Sequence, residues 1–224
     1  MPGLTAVRVW DLPTRLFHWS LVLLVSFSAI TGEFGDDFGA NILDWHARAG
    51  YAILALLVFR LLWGFVGGTH ARFYNFIRGP RVVIAYLREL RAGKSAPHLG
   101  HNPAGGWSVL LMLVCLSLQV GTGLFLSDDD LGFTGPLANH VSDHLSDQLQ
   151  ALHEANFYVL MVLVGLHLSA IAFHLWVKKE NLVRAMVSGR KPGAAEPQRG
   201  GHPLLGALVL AIGAGAVWFI VNRL

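Results

Sequence analysis

A polytopic, all-α membrane fold is what this sequence predicts: four transmembrane helices in a bundle, followed by a fifth at the C-terminal side. Three observations lead there. Hydrophobic residues make up 54% of the 224 positions and charged residues only 14%, where a soluble domain carries about a quarter charged. The apolar residues gather into blocks near the ~20 residues that a helix needs to cross a ~30 Å hydrocarbon core. The loops between the blocks alternate in charge.

The blocks place spans at residues 16–32, 45–66, 106–126, 153–177 and 204–222. Pro103 and Pro203 stand where helices are entered. Arg8 and Arg15 before the first block imitate a secretory signal, but Trp10, Asp11, Pro13 and His18 do not belong in one. Residues 190–203 form a polar linker rich in proline and glycine. It separates a four-helix body, residues 1–191, from a segment of linker and extra helix, residues 192–224. The last span carries Ala207, Ala211 and Gly215 every fourth residue, a stripe through which helices approach closely. That stripe allows docking on the chain's own bundle, on a second copy or on another subunit. Homo- or hetero-oligomer assembly through helix 204–222 is the expectation, with a plain extra anchor as the alternative.

Charge sets an orientation. Glu33, Asp36, Asp37 and Asp44 follow the first span, and Asp128, Asp129, Asp130, Asp143 and Asp147 follow the third, with no Lys or Arg among them. Arg8 and Arg15, the run from Arg72 to Lys94, and Lys178 to Arg199 lie on the opposite side. Positive charge stays inside, so the N-terminus is cytoplasmic and the C-terminus ends outside. Within the inner loop, Val83, Tyr86, Leu87 and Leu90 share a helical face apart from Arg81, Arg88 and Arg91, which suits an amphipathic helix on membrane lipid. The net charge of +3 is therefore a membrane signal, and no nucleic acid is expected as a partner.

The chemistry sits on histidine, because a titratable group in hydrocarbon faces a bundle interior and a partner. His18 lies toward the cytoplasmic end of the first span and His46 toward the outer end of the second. His153 opens the fourth span and His167 follows it by fourteen residues, which is a rise of about 21 Å and nearly four turns. One helix thus offers two imidazoles on one stripe. His46 is predicted to meet His153, and His18 to meet His167. Paired ligands so far apart cannot share one zinc or copper ion, and neither level adds thiolate or carboxylate. A flat macrocycle with an imidazole on each face fits, and filled axial positions point to electron transfer. The single cysteine, Cys115, excludes an intrachain disulfide, and no Cys-x-x-Cys-His attaches a haem covalently. Arg60, fourteen residues past His46, would pair with a haem propionate, or snorkel to lipid phosphate.

The combination Val9-Trp-Asp-Leu-Pro-Thr-Arg-Leu-Phe-His18-Trp, His46-Ala-Arg-Ala-Gly-Tyr, Arg60-Leu-Leu-Trp-Gly-Phe and Phe133-Thr-Gly-Pro-Leu resembles the bacterial cytochrome b561 proteins. It equally resembles the b-type cytochrome subunits of nickel–iron hydrogenases. Leu152-His153-Glu-Ala-Asn-Phe-Tyr, Gly165-Leu-His167, Lys179-Glu-Asn-Leu-Val and Gly189-Arg-Lys complete a resemblance over about residues 7–191. It implies two haem b groups in a four-helix bundle, held by His18, His46, His153 and His167. The fifth helix lies outside what the resemblance explains. His174, seven residues beyond His167, competes with it for His18 on depth alone. It is held as a supporting or quinone-site residue, with an interfacial histidine as the plainer reading. His98, His101, His140, His144 and His202 are expected to be solvated, with His140 and His144 spaced to catch a stray metal.

The resemblance implies an electron carrier between the quinone pool and a redox partner, either a c-type cytochrome or a hydrogenase or dehydrogenase subunit. A standalone oxidoreductase that draws electrons from an external reductant is a variant of that reading. The contrasting class is a proton-coupled or metal-ion transporter, but such proteins use broken helices and midplane polar clusters. A pure anchor subunit has no need of tiered histidines. No glycine fingerprint for a nicotinamide cofactor is present.

Overall fold

A computed structural model describes residues 6–35, 42–128, 133–192 and 199–223. Asp36, Asp37, Asp129 and Asp130 of the acidic loops, and the middle of the 190–203 linker, lie outside them. The helices are α1 (Leu12–Glu33), α2 (Ile42–Val66), α3 (Phe73–Phe76), α4 (Pro80–Arg91), α5 (Pro103–Gly123), α6 (Asp143–Trp176), α7 (Leu182–Ser188) and α8 (Pro203–Arg223). Of these, α1, α2, α5, α6 and α8 are long and apolar enough to cross a membrane. Two short antiparallel pairs complete the set: β1 (Ala6–Arg8) with β4 (Arg190–Pro192), and β2 (Ser127–Asp128) with β3 (Phe133–Thr134).

The fourth span begins ten residues before the expected 153. Asp143-His-Leu-Ser-Asp-Gln-Leu is too polar to register as membrane sequence, yet Ser142 caps it, accepting from the Leu145 and Ser146 amides. His153 therefore lies inside α6 and does not open it. The helix is nonetheless unbroken from His153 to His167, as their shared stripe requires. The helix expected within the inner loop is present: α4 covers Pro80–Arg91 and buries Tyr86.

The chain divides into two compact units: Met1–Leu16, Leu61–Met112 and Leu163–Ala207 form one, and Phe17–Arg60, Leu113–Val162 and Leu208–Leu224 the other. In the first unit the Trp10-Asp-Leu-Pro-Thr-Arg run is a junction. Asp11, 1% exposed, caps α1 by accepting from the Thr14 amide at 2.7 Å. Its other oxygen takes the Gly68 amide at 3.1 Å, and the fully buried Trp63 indole approaches both Asp11 and Thr14. The carbonyl of Gly189, which ends α7 at φ 76°, accepts from the Val9 and Trp10 amides. Gly201, at φ 74°, lies so near Asp11 that a Cβ would stand 2.5 Å from that side chain.

In the second unit α8 docks on α2 of the same chain. A Cβ at Gly213 would come within 2.9 Å of the Ala55 carbonyl oxygen, so the two backbones touch there. Val209, Gly213 and Val217 are buried, and Gly206 is buried likewise in the first unit. Ala207, Ala211 and Gly215 are exposed. The stripe read from the sequence is thus not the one that binds α2. Alanine tolerates many faces of a helix, whereas backbone contact demands glycine. Gly213→Leu is expected to lower stability by about 1–3 kcal/mol through overpacking, while Gly215→Leu, with nothing within 4 Å of its Cβ position, is tolerated. Thermal melts of the two variants in the same detergent check this.

Candidate functional site: a paired-histidine cavity

The second unit brings His46 and His153 together. Their ring centroids are 6.4 Å apart, with the planes at 65°. Both line a cavity of about 470 Å³ whose wall also includes Gly32, Gly50, Gly123 and Gln119. Each ring is held the same way. Thr31 Oγ1 lies 2.9 Å from the Phe27 carbonyl and 3.1 Å from His46 Nδ1. Thr122 Oγ1 lies 2.9 Å from the Leu118 carbonyl and 3.0 Å from His153 Nδ1. A threonine hydroxyl has one hydrogen, and back-bonding to the preceding turn uses it. The oxygen is then left to accept, so Nδ1 of each histidine carries the proton and Nε2 carries the lone pair.

A glycine follows each threonine. A Cβ at Gly32 would stand 3.2 Å from His46 Cε1, and one at Gly123 3.3 Å from His153 Cε1. Both rings therefore rest against a Thr-Gly corner, one near the end of α1 and one closing α5. Asn156, 5% exposed, donates to Gln119 Oε1 at 2.6 Å and to the Cys115 carbonyl at 3.0 Å, tying α6 to α5. None of these residues was given a supporting role from the sequence. The repeated Thr-Gly was the available signal, visible as Thr31-Gly32 and Thr122-Gly123.

Two imidazoles ligating one metal at about 2 Å each, with ring centres roughly 1.2 Å beyond the nitrogens, have centroids ~6.4 Å apart. The spacing of His46 and His153 fits that requirement. The donor set is two neutral nitrogens, and no cluster of three or more His, Cys, Asp or Glu side chains suited to a metal ion occurs among the described residues. A metal that brings its own equatorial ligands matches such a set. The apolar, glycine-lined cavity beside the rings matches a flat organic group.

His18 lies on α1, half-buried, with its ring edge-on to Trp19 at 5.1 Å. Arg60 is 3% exposed. Both belong to the second unit. His167 and His174 lie on α6 in the first unit, both half-buried. His174 Nδ1 is 3.0 Å from Glu180 Oε2, and Lys191 Nζ donates to the other oxygen of Glu180 at 2.6 Å. Burial alone would raise the Glu180 carboxyl, but the Lys191 ammonium and His174 outweigh it and hold it below the usual range. It stays a carboxylate that can accept from both. His98 and His101 are not the solvated loop residues expected. His98 packs edge-on to Tyr86, and His101 against Trp10 and Phe76 at 4.8 and 4.5 Å. His140, His144 and His202 are exposed, as expected.

Fold and site together define a multi-pass membrane protein built around paired histidines. The family model for prokaryotic cytochrome b561 matches residues 9–189, and the chain belongs to that family. It is a membrane b-type cytochrome of electron transfer, and its family implies haem b. Similar proteins include probable Ni/Fe-hydrogenase B-type cytochrome subunits. That of Rhodobacter capsulatus is 24% identical over 214 residues, covering 84% of this chain and 82% of the relative. That of Azotobacter chroococcum is 26% identical over 214 residues, covering 83% and 88%. No solved structure matches the chain.

Proposed function

We propose that this cytochrome carries two haem b groups and passes electrons across the bacterial inner membrane, between the quinone pool and a redox partner. The observation that carries the reading is the His46–His153 pair at 6.4 Å, with each Nδ1 held by a threonine. Haem b, when bound, would supply one-electron chemistry. His46 and His153 would hold one group; His18 and His167 are the residues proposed to ligate the second. Thr31 and Thr122 fix the ligating tautomer, and Gly32 and Gly123 give the rings room. Arg60 offers a guanidinium to a propionate. His174, which meets Glu180 beside Lys191, would relay a proton where quinone reacts.

The haem-bearing body is residues 1–191, and residues 192–224 add the linker and α8. The charged loops set the N-terminus in the cytoplasm and the C-terminus in the periplasm. The relatives' names support a hydrogenase as the partner, and the acidic loops equally suit a basic c-type cytochrome or a dehydrogenase subunit. The outward stripe of Ala207, Ala211 and Gly215 is where another subunit or copy would be held. The test is a proteoliposome that encloses ferricyanide and receives a quinol outside. Bleaching that depends on haem-loaded protein is expected; no bleaching above empty vesicles would refute transmembrane electron transfer.

The threonines supply a further expectation. Thr31→Val or Thr122→Val removes one acceptor of an imidazole N–H, leaving only the backbone bond to Ser28 or Gln119, and losses of such supporting partners cost about 10–100-fold in metal affinity. Haem transfer to an excess of a scavenging apoprotein should speed up accordingly, with transfer of the other haem unchanged.

A further inference from the structure

Arg8 and Arg190 are register partners across the β1–β4 ladder, both on its exposed face. Like charges directly opposite one another are destabilising, so the pairing calls for an anion. Around it lies a pocket of about 220 Å³ lined by Arg8, Trp10, Leu12, Arg15, Ser188, Gly189 and Arg190. Among the described residues no carboxylate lines it. The adjacent Asp11 is turned away, with its oxygens engaged by Thr14, Trp63 and Gly68. Arg15 donates through Nη2 to the Val187 carbonyl, and its Nε is buried without an acceptor among the described residues.

The surroundings decide which anion. The pocket stands at the N-terminal end of a membrane-spanning helix, where headgroups lie. Leu12 lines it and Leu16 follows one turn on, 40% and 59% exposed, an apolar wall leading away from the arginines. Guanidinium groups bind phosphate bidentately, and basic pockets at helix ends take anionic headgroups. We propose that Arg8, Arg15 and Arg190 form a binding site for the phosphodiester headgroup of an anionic phospholipid, with an acyl chain along Leu12 and Leu16.

The test compares the haem-loaded wild type with R8Q/R190Q, and with R81Q/R88Q on α4 as a basic control. Lipid that survives purification is counted by native mass spectrometry. The wild type and the α4 control should retain phosphatidylglycerol, and R8Q/R190Q at least fivefold less, with its Soret spectrum unchanged. Equal retention in all three overturns the site, as does loss in the α4 control alone. Melting gives a second readout that survives poor folding of the double variant, using R190Q by itself. In lipid-free detergent R190Q should melt no lower than the wild type, because a like-charge pair is relieved. Phosphatidylglycerol should then raise the wild-type melting temperature more than that of R190Q. Equal stabilisation by phosphatidylcholine, or by inorganic phosphate alone, would overturn the headgroup assignment.

Discussion

His46→Ala and His153→Ala are each expected to halve the haem content of the purified protein, and to remove the same group. The rings stand 6.4 Å apart and line one cavity, so on the proposed reading each variant would remove one of two nitrogens that hold the same haem. Residues that act on one group are non-additive, and His46→Ala/His153→Ala together should lose no more haem than either alone. The remaining haem should keep its low-spin bands. Extraction and quantification of haem per chain, with the reduced spectrum, checks this. Independent loss of two different groups would break the pairing.

His18→Ala and His167→Ala are expected to remove the other haem, and His174→Ala to spare it. The Gly165-Leu-His167 motif is the argument, since on depth alone His174 competes for the same partner. His174 instead meets a carboxylate paired with lysine. Its replacement should slow quinol oxidation while the absorption bands stay intact. Haem loss in His174→Ala with retention in His167→Ala would transfer the ligand role to His174.

The parts of this molecule legible in its sequence were those where one physical effect dominates. Long apolar runs exposed to lipid have no other use, so the five spans could be read within a few residues wherever the helix ends where its apolar run ends. Where a helix continues through polar sequence, as α6 does over Asp143–Gln150, hydropathy says nothing and only the Ser142 cap marks the start. The pairing of His46 with His153 was readable because a titratable group in hydrocarbon is costly. Their threonine supports were not, because threonine in a membrane helix is inexpensive when it back-bonds to its own turn. Likewise the small residues of α8 were visible, but which stripe meets α2 depends on backbone contact at Gly213, which an every-fourth-residue pattern does not distinguish from Gly215. The Trp10-Asp-Leu-Pro-Thr-Arg run was recognised as a motif without a role. Its role is a junction, in which Asp11 caps α1 and holds the Gly68 amide.

Counting haem against protein is the most direct test of the central claim. Protein purified in mild detergent from haem-replete cells should yield two acid-extractable b haems per chain, with reduced bands of low-spin, bis-histidine iron. One haem per chain, a high-spin spectrum, or a colourless preparation would contradict it.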